Sequence, residues 1–479
     1  MSQKKKSAFD YAMEIAEEYS YFYSAESGAV ASVDGRMIPV LSEEFEELIR
    51  YRLYTENKIS LGSEILKTVI STMAAKARFE SEKINIFRRC GHYKGKFYYY
   101  IGDGQYVKIT SKKYELVDTV PIYFLQSNTM RVQDVPKKKK GIDLWKLKKY
   151  FNTKNEGDFI LLLITIISYF IEEIPHFITC IMGNQGSAKS TTCRLIKELV
   201  DPSIAPILNL PKSIDELILQ LANEHVIVYD NLCSIKQEFC NVFCQVSTGA
   251  TALRRKLFTD NQLLSYSLKK CLVLNGINYV SMQSDLLDRA LVITLKPISS
   301  KKRKTEKEIF DEFKEEKPYY LNCIFEVLAK AKKIYKTLEI EELPRMADSC
   351  KWGAAIAEAL DVGVDRYLEL YLKNYQQINQ EILLGNPTAC AIIRLMEENH
   401  KWEGSVGELY DELCSIADEH NINQNDRLWA KSDSALSRRL NQLKINLSNI
   451  GIEFDIQPIC NKRKKISCKK IILRKKQED

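Results

Sequence analysis

The spacing of apolar and polar residues divides the first part of the chain into helices and strands. The first ~25 residues place apolar side chains near helical spacing and predict one helix. Residues 29–40 then alternate around Asp34-Gly35, a pair typical of tight hairpin turns. Further helices are predicted over 43–54 and 63–78, and strands over 84–100 and 106–117. This pattern predicts an α+β domain over residues 1–135, to which its residues assign no chemistry.

A different pattern follows Pro136. The basic run Lys137–Lys140 predicts an exposed linker over 136–145, or a contact with backbone phosphates. Helical and buried-strand segments then alternate, which predicts an α/β core over 146–300. The apolar run Phe159–Ile171 would rise only about 20 Å as a helix, against roughly 30 Å of membrane hydrocarbon, so it predicts a buried helix and no membrane span. Helices predicted over 301–384 would form a lid or connector.

The last predicted unit, residues 385–479, begins at Gly385-Asn386-Pro387. Helices over 390–398, 407–419 and 434–447 precede strands over 452–456 and 466–473, which are joined by a basic turn. In the third helix the leucines form one stripe, so Arg438 and Arg439 should face outward. Three helices followed by a two-stranded wing predict a winged helix-turn-helix, with Lys464 and Lys465 at the tip of the wing. In such a module the third helix lies in the major groove of DNA and the wing contacts phosphates. The alternative is a small helical interaction domain.

Charge is unevenly distributed over the 479 residues. The net charge is +7, yet residues 426–479 alone hold 14 Lys and Arg against 6 Asp and Glu. A basic end on a near-neutral body is typical of nucleic-acid binding, or else of a solvated tail. The thirteen cysteines and five histidines are scattered without metal-ligand or disulfide spacing, which predicts a reduced, cytoplasmic protein.

A phosphate-binding loop is the strongest chemical signal. A strand over 177–182 runs directly into a loop and then a helix, the context that such a loop requires. Its glycines let backbone N–H groups wrap an anion, Lys189 would reach the β- and γ-phosphates of ATP, and the Ser190 hydroxyl would bind Mg²⁺. Ala188 stands where glycine is usual, and is small enough to keep the loop tight. The predicted ATP-binding residues are Gly183, Asn184, Gln185, Gly186, Ser187, Ala188, Lys189, Ser190 and Thr191.

A second strand, 226–229, ends on Asp230, which would hold the Mg²⁺ of the same site. Asn231 follows, where hydrolytic NTPases of the helicase type often carry glutamate. An amide orients water but accepts no proton, so the base stays open among Glu238, Asn241 and a group from a neighbouring subunit.

Two more polar residues adjoin predicted strands. Asn275 ends the strand expected between the two nucleotide-binding strands, and is either a sensor of the γ-phosphate or a cap. Arg289 precedes the next strand, and is either an arginine finger on the ATP of an adjacent subunit or a surface ion pair with Asp285 or Asp288.

This order of motifs resembles the AAA+ core shared by superfamily 3 and MCM-like helicases. In that family the segment TGATALRRKLFTDNQLLSYSLKKCLVLNG would form the hairpin that enters a hexamer channel and moves along DNA. A strand over 255–258, a turn at Asp260-Asn261 and a return strand from Leu263 would build it. Because its tip bears Asp260, the resemblance implies DNA contacts at its base, through Arg254, Arg255 and Lys256.

The strings DNLCSI, DLLDRALVITL and LPRMADSCKWGAAIAEAL resemble replication-initiator helicases of mobile elements, such as the Rep proteins of staphylococcal pathogenicity islands and cassette helicases. The resemblance gives Arg345 a sensor-2 role. It implies a multidomain α/β chain with an AAA+ P-loop ATPase core and helical lid, acting as an ATP-dependent hexameric helicase on single- and double-stranded origin DNA. In such a protein the domain over residues 1–135 would contact DNA or other subunits. The alternative is an ATP-switched regulator or loader that does not unwind. A primase is disfavoured because the first domain lacks paired acidic residues of the DxD kind that a primase would need.

Overall fold

The computed structural model describes residues 6–255, 263–276, 284–461 and 466–476. The first unit is a three-stranded antiparallel sheet covered by three helices: α1 (Ala8–Glu17), β1 (Ser20–Ser24), β2 (Gly28–Val33), β3 (Arg36–Pro39), α2 (Glu43–Asn57) and α3 (Ser63–Glu80). The predicted hairpin is confirmed, with Asp34 and Gly35 both at positive φ (48° and 78°). The predicted single helix over the first ~25 residues is wrong beyond Glu17. The next segment, SYFYS, is rich in aromatic residues that favour strands and pairs with β2.

A second sheet has the order β5-β6-β7-β8. The elements of this region are β4 (Ile86–Phe87), β5 (Cys90–Tyr93), β6 (Lys96–Gly102), β7 (Gln105–Ile109), β8 (Tyr114–Val117) and β9 (Tyr123–Phe124). One face of this sheet belongs to the core that continues through residues 144–371. Tyr99 of β6, for example, lies 5.2 Å from the Phe170 ring and 5.5 Å from the Phe325 ring. Residues 90–109 therefore share their core with the later chain, whereas residues 12–77 have a core of their own.

The α/β core consists of a parallel sheet in the order β11-β14-β10-β15, with helices on its faces. Its elements are α4 (Glu156–Ser168), β10 (Ile178–Gly183), α5 (Lys189–Val200), α6 (Ile214–Asn223), β11 (Val226–Tyr229), α7 (Gln237–Thr248), β12 (Thr251–Arg255), β13 (Leu263–Ser267), β14 (Cys271–Asn275), α8 (Ser284–Leu287) and β15 (Ala290–Leu295). The predicted α/β sheet is confirmed, and α4 is the predicted buried helix. Among the described residues, no helix is both long and apolar enough to cross a membrane.

Three long helices follow: α9 (Glu306–Tyr335), α10 (Ala347–Ala359) and α11 (Val364–Leu384). They pack on one another and on α4, within the shared core. The basic run Lys137–Lys140 is exposed and lies along α9. The Lys137 N–H donates to the Pro318 carbonyl at 2.9 Å, and Lys138 pairs with Glu326 at 3.1 Å.

The last unit contains α12 (Pro387–Glu398), β16 (Lys401–Ser405), α13 (Val406–Glu419), α14 (Asp433–Ser448), β17 (Ile452–Asn461) and β18 (Ile466–Lys475). All three predicted helices and both predicted strands are present. The structure adds β16, which pairs with β18 to give the sheet order β16-β18-β17. Sequence reasoning missed this strand because only its pairing with a distant segment identifies it.

A buried ionic network joins the second sheet to the α/β core. Arg89, fully buried, donates to Asp201 at 2.9 Å, while Lys197 donates to Asp201 at 2.8 Å and to Glu224 at 2.6 Å. Burial alone would raise the pKa of Asp201, but Lys197 and Arg89 outweigh it and hold that pKa well below its usual value. Breaking such a network leaves an uncompensated buried charge, which costs about 3–5 kcal/mol.

Candidate nucleotide site

The loop between β10 and α5 has the backbone shape of a phosphate-binding loop. Gly183 has φ 151°, and a Cβ there would lie 2.7 Å from the Leu295 carbonyl oxygen of β15, so a side chain is excluded. Gly186 also lies at positive φ, 78°. The loop leads directly into the N-terminus of α5, where free N–H groups and the helix dipole favour an anion.

Ala188 adopts the left-handed conformation, with φ 61° and ψ 36°. This conformation costs an L-residue with a Cβ about 1–2 kcal/mol, which is the physical reason for glycine at this position. The sequence argument that alanine is acceptable because it is small therefore addressed the wrong property. The loop keeps its shape with alanine at the cost of local backbone strain.

The Lys189 side chain folds back onto carbonyl oxygens of the phosphate loop. Lys189 Nζ donates to the carbonyl oxygen of Gly183 at 2.8 Å and of Asn184 at 3.3 Å. Ser187 is buried and its hydroxyl donates to the Asn184 carbonyl at 2.8 Å, while Ser190 is exposed on the first turn of α5. The ammonium, the helix N-terminus and the Ser190 hydroxyl thus lie within one short segment.

Asp230 and Asn275 meet at the same edge of the sheet. The Asn275 side-chain amide donates to Asp230 Oδ1, which also accepts from the Asn231 N–H at 2.8 Å. The Leu232 N–H donates to the Asn275 carbonyl at 2.9 Å, and this fixes the ends of β11 and β14 together. Because β14 lies between β10 and β11, Asn275 follows the strand between the two nucleotide-binding strands, as the sequence predicted.

Within the described residues, the Asn275 side chain has one hydrogen-bond acceptor that no donor contacts. Asn275 is 1% exposed, and its Oδ1 has no hydrogen-bond partner among the described residues. A buried amide oxygen without a donor is unfavourable by about 1–3 kcal/mol, and such atoms are frequent where a ligand or water is bound. The candidate bases Glu238 and Asn241 lie exposed on α7, where Asn241 accepts from Gln237 at 3.0 Å.

Arg289 and Arg345 lie together, at the opposite end of the sheet. Arg289 directly precedes β15, and its carbonyl accepts from the Ile178 N–H at the start of β10. Both guanidinium groups bind Asp285, Arg289 at 2.6 Å and Arg345 at 2.9 Å, and Arg345 also binds Asp288 at 2.7 Å. The ion pair considered for Arg289 is therefore present. Neither arginine is placed beside the phosphate loop of its own chain.

Sequence reasoning missed Arg303 as a site residue, because the charged stretch 301–307 has the composition of an ordinary surface segment. A Cβ on Gly186 would lie 2.9 Å from Arg303 Nη2, so this guanidinium rests against the phosphate loop. The Ile298 N–H donates to the Gly186 carbonyl at 3.1 Å, which holds the segment against the loop. Arg303 is therefore a second cation, beside Lys189, at the candidate phosphate loop of the same chain.

The candidate DNA contacts are only partly described. Arg254 and Arg255 lie in β12, which starts at Thr251 and so begins earlier than the predicted strand from residue 255. Lys256, the predicted turn at 260–261 and the wing residues Lys464 and Lys465 lie outside the described residues.

On α14 the leucine stripe is buried and Arg438 is exposed, as predicted. Arg439 is half-buried, with a guanidinium N–H donating to Gln442 at 2.9 Å.

Two family models describe most of the chain. The model of the actinomycete integrative conjugative element replication protein matches residues 142–377, and the model of the RepA C-terminal domain from the same elements matches residues 388–478. The chain belongs to this family. The resemblance to replication initiators of mobile elements is thereby confirmed at the level of a mobile-element replication protein.

Solved structures of similar proteins include two that align over nearly all or most of the chain. The apo C-terminal region of NrS-1 covers 98% of this chain and 99% of its own, at 10% identity and a TM-score of 0.41. The SCCmec type IV Cch active helicase covers 87% of this chain and 86% of its own, at 11% identity and a TM-score of 0.42. No curated protein matches in the sequence comparison.

The residues of the nucleotide site fit a nucleotide with a magnesium ion. Hard cations such as Mg²⁺ take oxygen ligands, usually one or two protein groups together with phosphate oxygens. The exposed Ser190 hydroxyl and the Asp230 carboxylate supply such oxygens, and the unpartnered Asn275 Oδ1 marks a position for a bound water. No cluster of three or more His, Cys, Asp or Glu side chains able to hold a metal by themselves occurs in the described part of the chain.

Proposed function

We propose that this replication protein is an ATP-driven DNA helicase that initiates replication of a mobile element. The observation that carries the proposal is the joint placement of the glycine loop, Lys189, Asp230 and Asn275 at the carboxyl edge of one parallel sheet. In such sheets, ligands bind at that edge. A replication protein with an ATP site and a separate basic unit has the parts needed for ATP-driven work on DNA.

Each residue of the site has a distinct task in hydrolysis. The loop N–H groups and Lys189 would bind the phosphates, and Lys189 would exchange its bonds to the loop carbonyls for phosphate oxygens. Ser190 and Asp230 would hold Mg²⁺, which when bound neutralises charge on the β- and γ-phosphates. The free Asn275 Oδ1 would accept a hydrogen bond from the attacking water and orient it.

Arg303 extends the site beyond the residues predicted from sequence. Because it rests against Gly186, its guanidinium would form a charge-assisted hydrogen bond to a bound phosphate. We propose it as a binding residue that acts within its own chain. Arg289 and Arg345, at the other end of the sheet, would then act on the nucleotide of the next subunit in a ring, which we propose to be a hexamer.

DNA would be held by two parts of the chain. The hairpin of β12 and β13 would contact the translocating strand through Arg254, Arg255 and Lys256. The unit from residue 385 would act as a winged helix, with Arg438 and Arg439 of α14 at bases of the origin. Lys464 and Lys465 would contact phosphates and give affinity without sequence preference.

A second function is favoured by one observation. Asn231 stands where a proton-accepting glutamate is usual, and its side-chain amide accepts no proton. A site without a base would bind ATP and hydrolyse it slowly, as suits an ATP-switched regulator or helicase loader. Turnover and strand displacement separate this alternative from a helicase.

The deciding experiment is ATP turnover and unwinding of forked DNA of both polarities. The wild-type protein should turn over ATP steadily and displace a strand, whereas Lys189→Ala should lose both activities and keep duplex binding. Lys212→Ala, at an exposed lysine of the same domain, is the matched control and should behave as wild type. ATP binding without turnover in the wild type would favour the regulator. Retained hydrolysis in Lys189→Ala would place the phosphate site elsewhere.

A further inference from the structure

A cavity of about 650 Å³ lies between the N-terminal region and the α/β core, away from the phosphate loop. The turn at 24–26 and the segments 82–94 and 121–123 contribute to one side. Lys270, directly before β14, and Thr251 and Ser267, at the base of the β12–β13 hairpin, contribute to the other. The cavity therefore adjoins the amino end of the sheet and the root of the hairpin.

Lys270 is a buried cation without a partner. Its side chain lines the cavity and the residue is only 9% exposed. Within the described ranges, the Lys270 ammonium has no carboxylate within 4.0 Å and donates no hydrogen bond. Burying an unpaired charge is strongly unfavourable, and an anion bound beside the Lys270 ammonium would offset that cost.

A second cation shares this environment. Arg88 also lines the cavity and donates to two neutral carbonyls, those of Ala222 at 3.1 Å and Leu125 at 3.5 Å. Burial, and next the charge of Arg88, hold the pKa of Lys270 below its usual value, although Glu26 acts in the opposite direction. An anion between the two cations would relieve their repulsion and supply the missing partner.

The remaining charges of the cavity wall also favour an anion. Lys83, Lys94 and Lys269 line it together with the acidic residues Glu82 and Glu172. The Glu172 carboxylate is already paired with His92 at 2.7 Å. The local balance is therefore cationic even though Glu26 is present.

Aromatic side chains give the cavity a second property. Phe87, Tyr93 and Tyr123 line it, and Tyr93 is 39% exposed, so its ring is accessible to a ligand. Lys94 Nζ lies 5.2 Å from the centre of the Tyr93 ring. Aromatic faces beside cations are the combination with which proteins hold single-stranded nucleic acid, the rings stacking on bases and the cations binding phosphates.

We propose that this cavity binds single-stranded DNA, with a backbone phosphate on Lys270 and Arg88 and a base against Tyr93. Its volume is in the range of pockets that hold ligands of nucleotide size. The proposal rests on the proposed function in taking DNA as the ligand, but it concerns a site that neither the phosphate loop nor the basic C-terminal unit includes. Because Thr251 and Ser267 share the cavity, a bound strand would contact the root of the hairpin.

The first test removes the unpaired charge in the full-length chain. Lys270→Met should weaken binding of a fluorescent oligothymidine about tenfold. It should also flatten the dependence of log Kobs on log salt by about 0.7, the contribution of one phosphate contact to a single strand. ATP turnover without DNA should not fall, because Lys270 lies at the amino end of the sheet, away from the phosphate loop. The melting temperature of the variant measures separately what the lost attraction between Lys270 and Glu26 contributes to folding. Lys212→Met serves as the matched control.

The second test needs no change at Lys270. An oligothymidine carrying 5-iodouracil should crosslink under ultraviolet light to Tyr93 of the wild-type chain, and excess unlabelled oligothymidine should prevent the crosslink. Tyr93→Phe should retain binding and Tyr93→Leu should weaken it, since stacking needs the ring and not the hydroxyl.

The outcomes separate the possible ligands. No crosslink within residues 82–94, together with unchanged oligothymidine affinity of Lys270→Met, would overturn the proposal. So would a Lys270→Met variant that loses stabilisation by inorganic phosphate or thymidine monophosphate yet binds oligothymidine normally, because the cavity would then serve a small phosphate ligand. A wild-type protein that crosslinks at Tyr93 without turning over ATP would refute the helicase while supporting this site.

Discussion

Replacing Arg289 by alanine should leave ATP bound but almost unhydrolysed, and a subunit with an intact arginine should restore hydrolysis from the neighbouring position. The geometry excludes action within one chain. Ala290 pairs with Ile178 at one end of β15, and Leu295 pairs with Gly183 at the other. Five residue steps of about 3.3 Å separate these ends by about 17 Å, which exceeds the length of an arginine side chain.

The expected loss of hydrolysis rate follows from the charge on the transferred phosphate that the Arg289 guanidinium would neutralise. Arginine fingers contribute about 10³–10⁵ to the rate of phosphoryl transfer, or about 4–7 kcal/mol of transition-state stabilisation. Arg289→Ala alone and Lys189→Ala alone should therefore both be nearly inactive. In a ring formed from equal amounts of the two variants, about a quarter of the interfaces combine an intact loop with an intact arginine. Turnover should recover to about a quarter of the wild-type value.

The assay is steady-state ATP turnover of each variant, then of the mixture after subunit exchange. A mixture of Arg289→Ala with the double variant Lys189→Ala/Arg289→Ala is the control, since it contains no intact arginine and should stay inactive. If the first mixture also stays inactive while wild type mixed with Lys189→Ala turns over in proportion, the reasoning is refuted.

Arg345 deserves the same mixing experiment because it shares Asp285 with Arg289. The Arg289 side chain is 13% exposed, whereas that of Arg345 is 46% exposed. Recovery with both variants would show that the pair acts together on the neighbouring nucleotide. Recovery with Arg345→Ala alone would assign the contact to Arg345 and leave Arg289 to hold Asp285 in place.

Three further changes test other parts of the molecule. Arg303→Ala should weaken ATP binding on the order of tenfold in a titration with fluorescent ATP, while the exposed control Lys301→Ala should not; equal affinities would contradict the contact with the loop. Ala188→Gly should raise the free energy of unfolding by up to about 1 kcal/mol, measured with ATP absent, because it relieves the left-handed strain; a lower melting temperature would count against it. Arg438→Ala combined with Arg439→Ala should cost about 1–3 kcal/mol per lost base contact on origin duplex and little in fork unwinding, and equal losses on origin and random duplex would exclude a recognition helix.

Local sequence patterns were sufficient wherever neighbouring residues determine the structure. The phosphate loop could be predicted because strand, glycines and helix follow one another directly from residue 177 to 200. The hairpin at Asp34-Gly35 and the leucine stripe of α14 are of the same kind. Each of these predictions depends on fewer than about 25 consecutive residues.

Contacts between segments that are far apart in the sequence could not be predicted from local patterns. The predicted helix over the first ~25 residues includes β1, because local spacing does not reveal the pairing of β1 with β2. Arg303 reaches Gly186 from more than a hundred residues away, and a charged surface stretch has the same composition as such a contact. The position of Arg345 beside Arg289 likewise depends on how α10 and the sheet pack, which no motif records.

A fragment that starts at residue 136 would be a poor choice for expression or for transfer into another protein. The fragment would lack β6, so the apolar surfaces that Phe97 and Tyr99 cover in the shared core would be exposed. One of them is Trp352, whose ring lies 5.5 Å from the Phe97 ring. Each such aromatic side chain buries about 150–250 Å² of surface. The fragment would therefore have an exposed apolar patch and tend to aggregate. A fragment that starts near residue 82, after the separate core of residues 12–77, would instead keep the shared core complete.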